Sequence, residues 1–227
     1  MKCDLHIHSS YSFDSWALPE RIVDLAIKKG LQCIAVSDHG SIQGSLEAQD
    51  YARQRNKPII VIVSEEVKSK QGDILALNIK KPIPEKLSAK KTIDLIHKQN
   101  GIAVIPHPFG SWCAFKGNLQ EFVGLIDGIE TLNASVFWGN KKAWEFAQKN
   151  NLAFTAGSDA HFCNQFIGKV WLKLPLDFSQ DLTADTIIAE IKNKTGLPAG
   201  TAANFIEKSL DHSFRSLTKL KFFRRFF

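Results

Sequence analysis

Seven short apolar runs recur along the chain, at residues 3–7, 33–37, 59–63, 74–79, 102–105, 128–132 and 153–156, separated by segments with a helical pattern. The runs are rich in β-branched residues and do not alternate with polar ones, which suits strands covered on both faces. The segments between them carry helix punctuation. Pro19 stands near one start with Gly30 past the end, and Ser88 is placed to cap another helix whose unit Gly101 closes. Alternation of this kind predicts an α/β fold, either a parallel sheet or a β/α barrel.

The residues at the end of each run narrow the function. "DLHIH" ends in His8, "IAVSDH" in Asp38 and His39, "IIVIVSEE" in Glu65 and Glu66, "IAVIPH" in His107, "IETLN" in Asn133 and "AFTAGSDAH" in Asp159 and His161. In a barrel the C-terminal strand ends form one ring, so residues from position 4 to position 161 would converge on one mouth. Strand alternation puts Asp4, His6 and His8 on one face, with Leu5 and Ile7 on the other.

Imidazole nitrogen mixed with carboxylate oxygen suits Mn, Fe or Zn, whereas a calcium or magnesium site would be richer in oxygen. Nine groups are well placed: Asp4, His6, His8, Asp14, His39, Glu66, His107, Asp159 and His161. That is too many for one ion, so two or three divalent ions are expected, with Asp4 orienting a histidine instead of binding metal. Adjacent metals with a bridging carboxylate would hold a hydroxide nucleophile and stabilise charge on a phosphoryl group. Hydrolysis of a phosphate ester is therefore the expected chemistry. No Walker A, GxGxxG or GxSxG element competes with it.

The remaining sequence bounds the setting. A chain of 227 residues, 44% hydrophobic, fits one domain with a continuous core. The domain is expected over residues 1–200, with 201–227 as a basic, aromatic tail or helix. Cys3, Cys33, Cys113 and Cys163 form no CxxC pair and read as buried reduced thiols. No run reaches the ~20 apolar residues of a membrane span, and the start of the chain lacks a signal-peptide pattern, so a cytoplasmic protein is expected, with a monomer as the default because the sequence shows no interface.

The net charge of +6 is concentrated at the end, where Lys208, Arg215, Lys219, Lys221, Arg224 and Arg225 oppose Asp211 alone. The body thus offers no electrostatic footprint for duplex nucleic acid. In the tail, Leu210, Phe214, Leu217 and Leu220 share one helical arc, which predicts a docked amphipathic helix. Phe222, Phe223, Phe226 and Phe227 beside Arg224 and Arg225 could meet an anionic membrane or stack on single-stranded nucleic acid. His97, in a helical pattern, and His212, in the tail, read as structural.

The motifs "DLHIHSSYSFDS", "VSDHG", the second Glu of "SEEV", "PHPF" and "GSDAH", spanning residues 2–172, resemble those of the PHP (polymerase and histidinol phosphatase) family of metal-dependent phosphoesterases. The resemblance implies a distorted seven-stranded (β/α)7 TIM-like barrel with a trinuclear metal centre at its C-terminal mouth. It implies the ligands His6, His8, Asp14, His39, Glu66, His107, Asp159 and His161, with Glu66 as the bridge. Asp4, Glu66, Asp159 and Lys116 are the groups expected to serve the reaction.

Two departures stand out. Some relatives carry a histidine in the strand after the bridging glutamate, where "QGDILAL" supplies Asp73, either a ligand or a place for water. Many carry an arginine after the HP motif, where only Lys116 is found here, a point charge instead of a bidentate fork. The expected substrate is a phosphorylated small molecule or a nucleotide end, chosen by loops such as 110–118. A nuclease acting on single strands or oligonucleotides is the alternative, and a non-catalytic metal-binding module is the third reading. Asp38 is expected to orient or cap, and Asn133 either bonds within the mouth or caps a helix.

Overall fold

All seven apolar runs are strands. A computed structural model describes residues 1–110, 113–136, 138–161, 166–179, 181–204, 207 and 209. In chain order the elements are β1 (Lys2–Ile7), α1 (Pro19–Lys28), β2 (Cys33–Val36), α2 (Gln43–Gln54), β3 (Ile60–Lys68), β4 (Asp73–Leu77), α3 (Ala89–His97), β5 (Ile102–Ile105), β6 (Gly128–Asn133), α4 (Asn140–Lys149), β7 (Ala153–Gly157), β8 (Val170–Lys173), α5 (Ala184–Lys192) and β9 (Leu197–Gly200). Pro19 opens α1, where its missing N–H costs nothing, and the Ser88 side chain accepts from Lys91 N–H at the start of α3.

The strands form one sheet in the order β7-β6-β5-β4-β3-β2-β1-β8-β9. One edge of β1 pairs with β2 in parallel; the other is divided between two partners. Its first residues pair antiparallel with β8, through Lys2 with Lys173 and Cys3 with Leu172. Its last residues meet the end of β7, where Asp159 N–H donates to His6 O at 2.7 Å and His8 N–H donates to Ala160 O at 2.9 Å. The sheet therefore curls into a nearly closed barrel whose seam lies at the mouth. Among the described residues it has nine strands where the resemblance implies seven.

The all-parallel expectation fails at β4, which runs antiparallel to both β3 and β5. A parallel crossover needs a dozen or more residues, and only four separate β3 from β4. The same hairpin explains why β3 runs on to Lys68, well past its apolar run: β4 pairs residues from Ser64 to Lys68. Glu65 and Glu66 thus lie inside a strand and point to opposite faces. Glu65 accepts from Ile83 N–H at 2.8 Å, and burial pushes its carboxyl up to about 7.

One apolar cluster joins Leu5, Ala35, Ile62, Leu75, Leu77, Val104 and Ala153 from six strands, together with Leu172 of β8 and Ile187 and Ile191 of α5. Side chains drawn from around the ring fill the barrel below the mouth, and α5 plugs it. Two further clusters seat the helices on the outer face. Each fully buried Ile or Leu there contributes about 2 kcal/mol of transfer free energy.

Cys3 and Cys33 are neighbours across β1 and β2 and are buried free thiols, whereas Cys113 is only half-buried. Cys163 lies outside the described residues, as do Lys208, His212 and the arc from Leu210 to Leu220 with the aromatic end beyond it. Ala203 is buried and donates to Ala134 O at 2.9 Å, and Glu207 pairs with Lys169, so the chain past β9 still touches the barrel. Among the described residues no helix is long and apolar enough to cross a membrane.

Candidate metal centre

Glu66 stands at the middle of the mouth. Its Oε1 lies 3.0 Å from His107 Nε2, and its Oε2 lies 3.1 Å from His8 Nε2, 3.3 Å from His6 Nε2 and 3.5 Å from His39 Nε2. His6 Nε2 and His8 Nε2 are themselves 3.1 Å apart. Asp159 Oδ1 is 3.5 Å from His8 Nε2 and 3.7 Å from His6 Nε2. On the far side Asp14 Oδ2 faces His161 Nε2 at 3.2 Å and His39 Nε2 at 3.9 Å.

The donors fall into three groups able to hold a metal ion: His8, Asp14, His39 and His161; His6, Glu66 and His107; and His6, His8 and Asp159. Nitrogen and oxygen donors converge in each, which suits Mn, Fe or Zn. Electrostatics points the same way. Burial disfavours charge on His6, yet Glu66, Glu130 and Asp159 raise its affinity for a proton well above the ordinary range. Burial opposes charge on His8 too, and Asp159 and Glu66 bring it up to about 9. Glu66 itself is held well below the carboxylate range against burial, chiefly by His6 and His39. The carboxylates draw protons onto His6 and His8, while burial holds His39 down to about 4, and an anionic pocket of this kind fits cations.

Three of the other ring nitrogens are fixed from behind. His6 Nδ1 lies 3.1 Å from Glu130 Oε1, His8 Nδ1 lies 3.2 Å from Ser12 Oγ, and His39 Nδ1 lies 3.2 Å from the Glu66 carbonyl. Such partners set the tautomer and aim Nε2 at the centre. Glu130 also accepts from His107 N–H at 2.9 Å and from Asn133 Nδ2 at 2.8 Å. Ser12 in turn donates to Asp14 at 3.0 Å and accepts from His39 N–H at 3.2 Å. Asp38 accepts from both N–H and Oγ of Ser9 at 2.6 Å, anchoring the loop that carries Ser12 and Asp14. His107 and Asp159 adopt φ of 30° and 51°, sparsely populated values held by the surrounding contacts.

All eight ligands implied by the resemblance are thus brought together. Asn133 bonds within the mouth, to Glu130 and, at 3.4 Å, to Asp159. Asp4 does not share the face of His6 and His8, because a register shift between Asp4 and Ile7 breaks the alternation of β1. Its buried carboxylate accepts instead from Ser158 N–H at 2.8 Å and Gly168 N–H at 2.9 Å, and burial raises it to about 6. Asp4 clamps the seam between β1 and the segment after β7. Asp73 is half-buried, and burial followed by repulsion from Glu66 raises it to about 6. Lys116 is exposed, and its backbone N–H donates to Gln71 O at 2.6 Å.

Glu130 and Ser12 were not legible as site residues. Glu130 is 1% exposed within an apolar run, and nothing in the sequence marks its carboxylate as buried. Glu130→Gln is expected to weaken metal binding about 10- to 100-fold. Titration of the metal-free protein with Mn, followed by calorimetry, measures this; unchanged affinity would remove Glu130 from the site.

A sequence model of the PHP domain matches residues 4–161, and one of a PHP-associated region matches residues 137–195. One uncharacterised protein of Methanocaldococcus jannaschii is 34% identical over 144 residues, covering 59% of this chain and 82% of that protein. A second from the same organism is 28% identical over 206 residues, covering 86% of this chain and 81% of its own length. Among solved structures, a two-domain protein of Bacteroides vulgatus containing a predicted PHP-like metal-dependent phosphoesterase superposes with a TM-score of 0.75 at 19% identity. The match covers 88% of this chain and 65% of that one.

Proposed function

Because the chain belongs to the PHP domain family, we propose that it is a metal-dependent phosphoesterase acting on a phosphorylated small molecule or a nucleotide end. One observation carries this reading: Glu66 presents one oxygen to His107 and the other to His6, His8 and His39, where its carboxylate would help hold divalent ions if they are bound. We assign His6, His8, Asp14, His39, Glu66, His107, Asp159 and His161 as ligands of two or three ions drawn from Mn, Fe and Zn, with Asp73 beside them as a further oxygen donor. Bound divalent ions supply Lewis acidity and an activated water, the chemistry that phosphate-ester hydrolysis needs.

The protein's own part is to hold the donors rigidly. Glu130, Ser12 and the Glu66 carbonyl fix the rings, so little reorganisation is needed when charge develops at the mouth. A non-catalytic binding module is the poorer reading, because nothing in such a module would maintain so complete a donor set.

The test pairs metal analysis with turnover. Purified protein is expected to carry two or three ions per chain, and to hydrolyse p-nitrophenyl phosphate or its bis ester only with metal. Chelation should lower the melting temperature, because an ion bound at 100 times its Kd stabilises the folded state by about 2.7 kcal/mol. Substoichiometric metal that cannot be restored, with no turnover, would defeat the phosphoesterase reading.

A further inference from the structure

Phosphate esters are anions, and the sequence offers Lys116 as the cation to receive them. The structure assigns that task to a different residue. We propose that Lys68, poised over Phe13 at the rim of the mouth, binds a non-bridging oxygen of the substrate phosphate; the inference rests on the phosphoesterase reading and adds a specificity residue to it.

Strand parity comes first. Glu66 and Lys68 are two residues apart on β3, and the ladder from Ser64–Leu77 to Lys68–Asp73 is unbroken, so both project from the same face. Two residues of strand advance by about 7 Å, which sets Lys68 one step outward from the centre. Ring contacts carry the same line inward. Lys68 Nζ lies 4.3 Å from the centroid of Phe13, Phe13 stacks on His39 at 5.2 Å and 24°, and His39 Nε2 lies 3.5 Å from Glu66 Oε2.

The way the ammonium is held matters as much as its place. Its cross-strand neighbour is Asp73, yet among the described residues Lys68 forms no ion pair and leans on an aromatic face instead. A ring face orients a cation without neutralising it, so the full charge stays available to an anion. Phe13 is 47% exposed, so the pair faces the approach to the mouth. A single ammonium suits a phosphate group that presents several equivalent oxygens.

The experiment compares wild type with K68Q, K68R and K116Q in the metal-loaded full chain. It reads kcat and KM for p-nitrophenyl phosphate and, by calorimetry, the Kd of inorganic phosphate. Losing one charge-assisted contact predicts a rise of about tenfold in KM and in the phosphate Kd for K68Q. K68R should stay within about threefold of wild type, metal content should be equal throughout, and K116Q should change neither constant beyond twofold. Wild-type constants in K68Q, an equal loss in K68R, or a loss confined to K116Q would each overturn the assignment. If wild type hydrolyses nothing, the phosphoesterase reading fails by itself, while the phosphate titration still decides whether Lys68 binds the anion.

Discussion

Glu66→Ala is expected to lower metal-dependent turnover roughly 10³-fold or more while leaving the chain folded, the scale seen when a preorganised charge is deleted from an active site. The size reflects how many groups depend on one carboxylate. Both oxygens are engaged, four imidazoles lie within 3.5 Å, and the side chain is 3% exposed. Without it His6, His8 and His107 lose a main source of their raised proton affinity, and the site loses the carboxylate that stands among four imidazoles. The fold should survive because β3 is held at this point by backbone pairing with β4, which does not involve the side chain. Glu66→Gln keeps the shape and removes only the charge, so it should fail in the same way. Three readings decide the matter: kcat, metal per chain, and the rise in melting temperature on adding Mn. Turnover within tenfold of wild type, or an undiminished Mn-dependent rise in melting temperature, would exclude Glu66 as the central ligand.

What the sequence made legible is the convergence itself. Four histidines follow apolar runs and His6 lies within the first, and only a ring of strand ends could gather His6 and His161 at one place; the structure places them there. The parts that stayed hidden depend on contacts between runs. Alternation assigned Asp4 to the face of His6 because no local signal marks the register shift in β1, which arises where β1 must serve both β8 and β7. Glu130 was hidden because a single carboxylate in a strand-like run looks the same whether it faces water or the barrel. Strand β9, with the sequence LPAG, has almost no β-propensity and forms because β8 offers it a partner. The direction of Lys68 is equally illegible, since the length of β3 that sets it is fixed by pairing with β4 and not by its own apolar run.

Gly157→Ala tests the seam that aligns the site. Gly157 ends β7 where the barrel closes on β1, and a Cβ built there would lie 2.2 Å from His6 Cβ, 2.9 Å from His6 N and 2.7 Å from Glu130 Oε1. His6 N and Cβ are fixed by the backbone and Glu130 is a buried carboxylate with two further partners, so none can swing away. Relief requires β1 and β7 to separate, which strains the Asp159 N–H bond to His6 O and the Ser158 N–H bond to Asp4. Overpacking of this kind costs about 3 kcal/mol or more, or roughly a 10 °C fall in melting temperature for a chain of this size. Metal affinity should fall with it, because His6 and Glu130 are displaced together. Gly124→Ala is the matched control: a Cβ there meets nothing within 4 Å, and stability should change by less than about 0.5 kcal/mol. If the two variants melt together and bind Mn equally, close approach at Gly157 does not hold the centre in register.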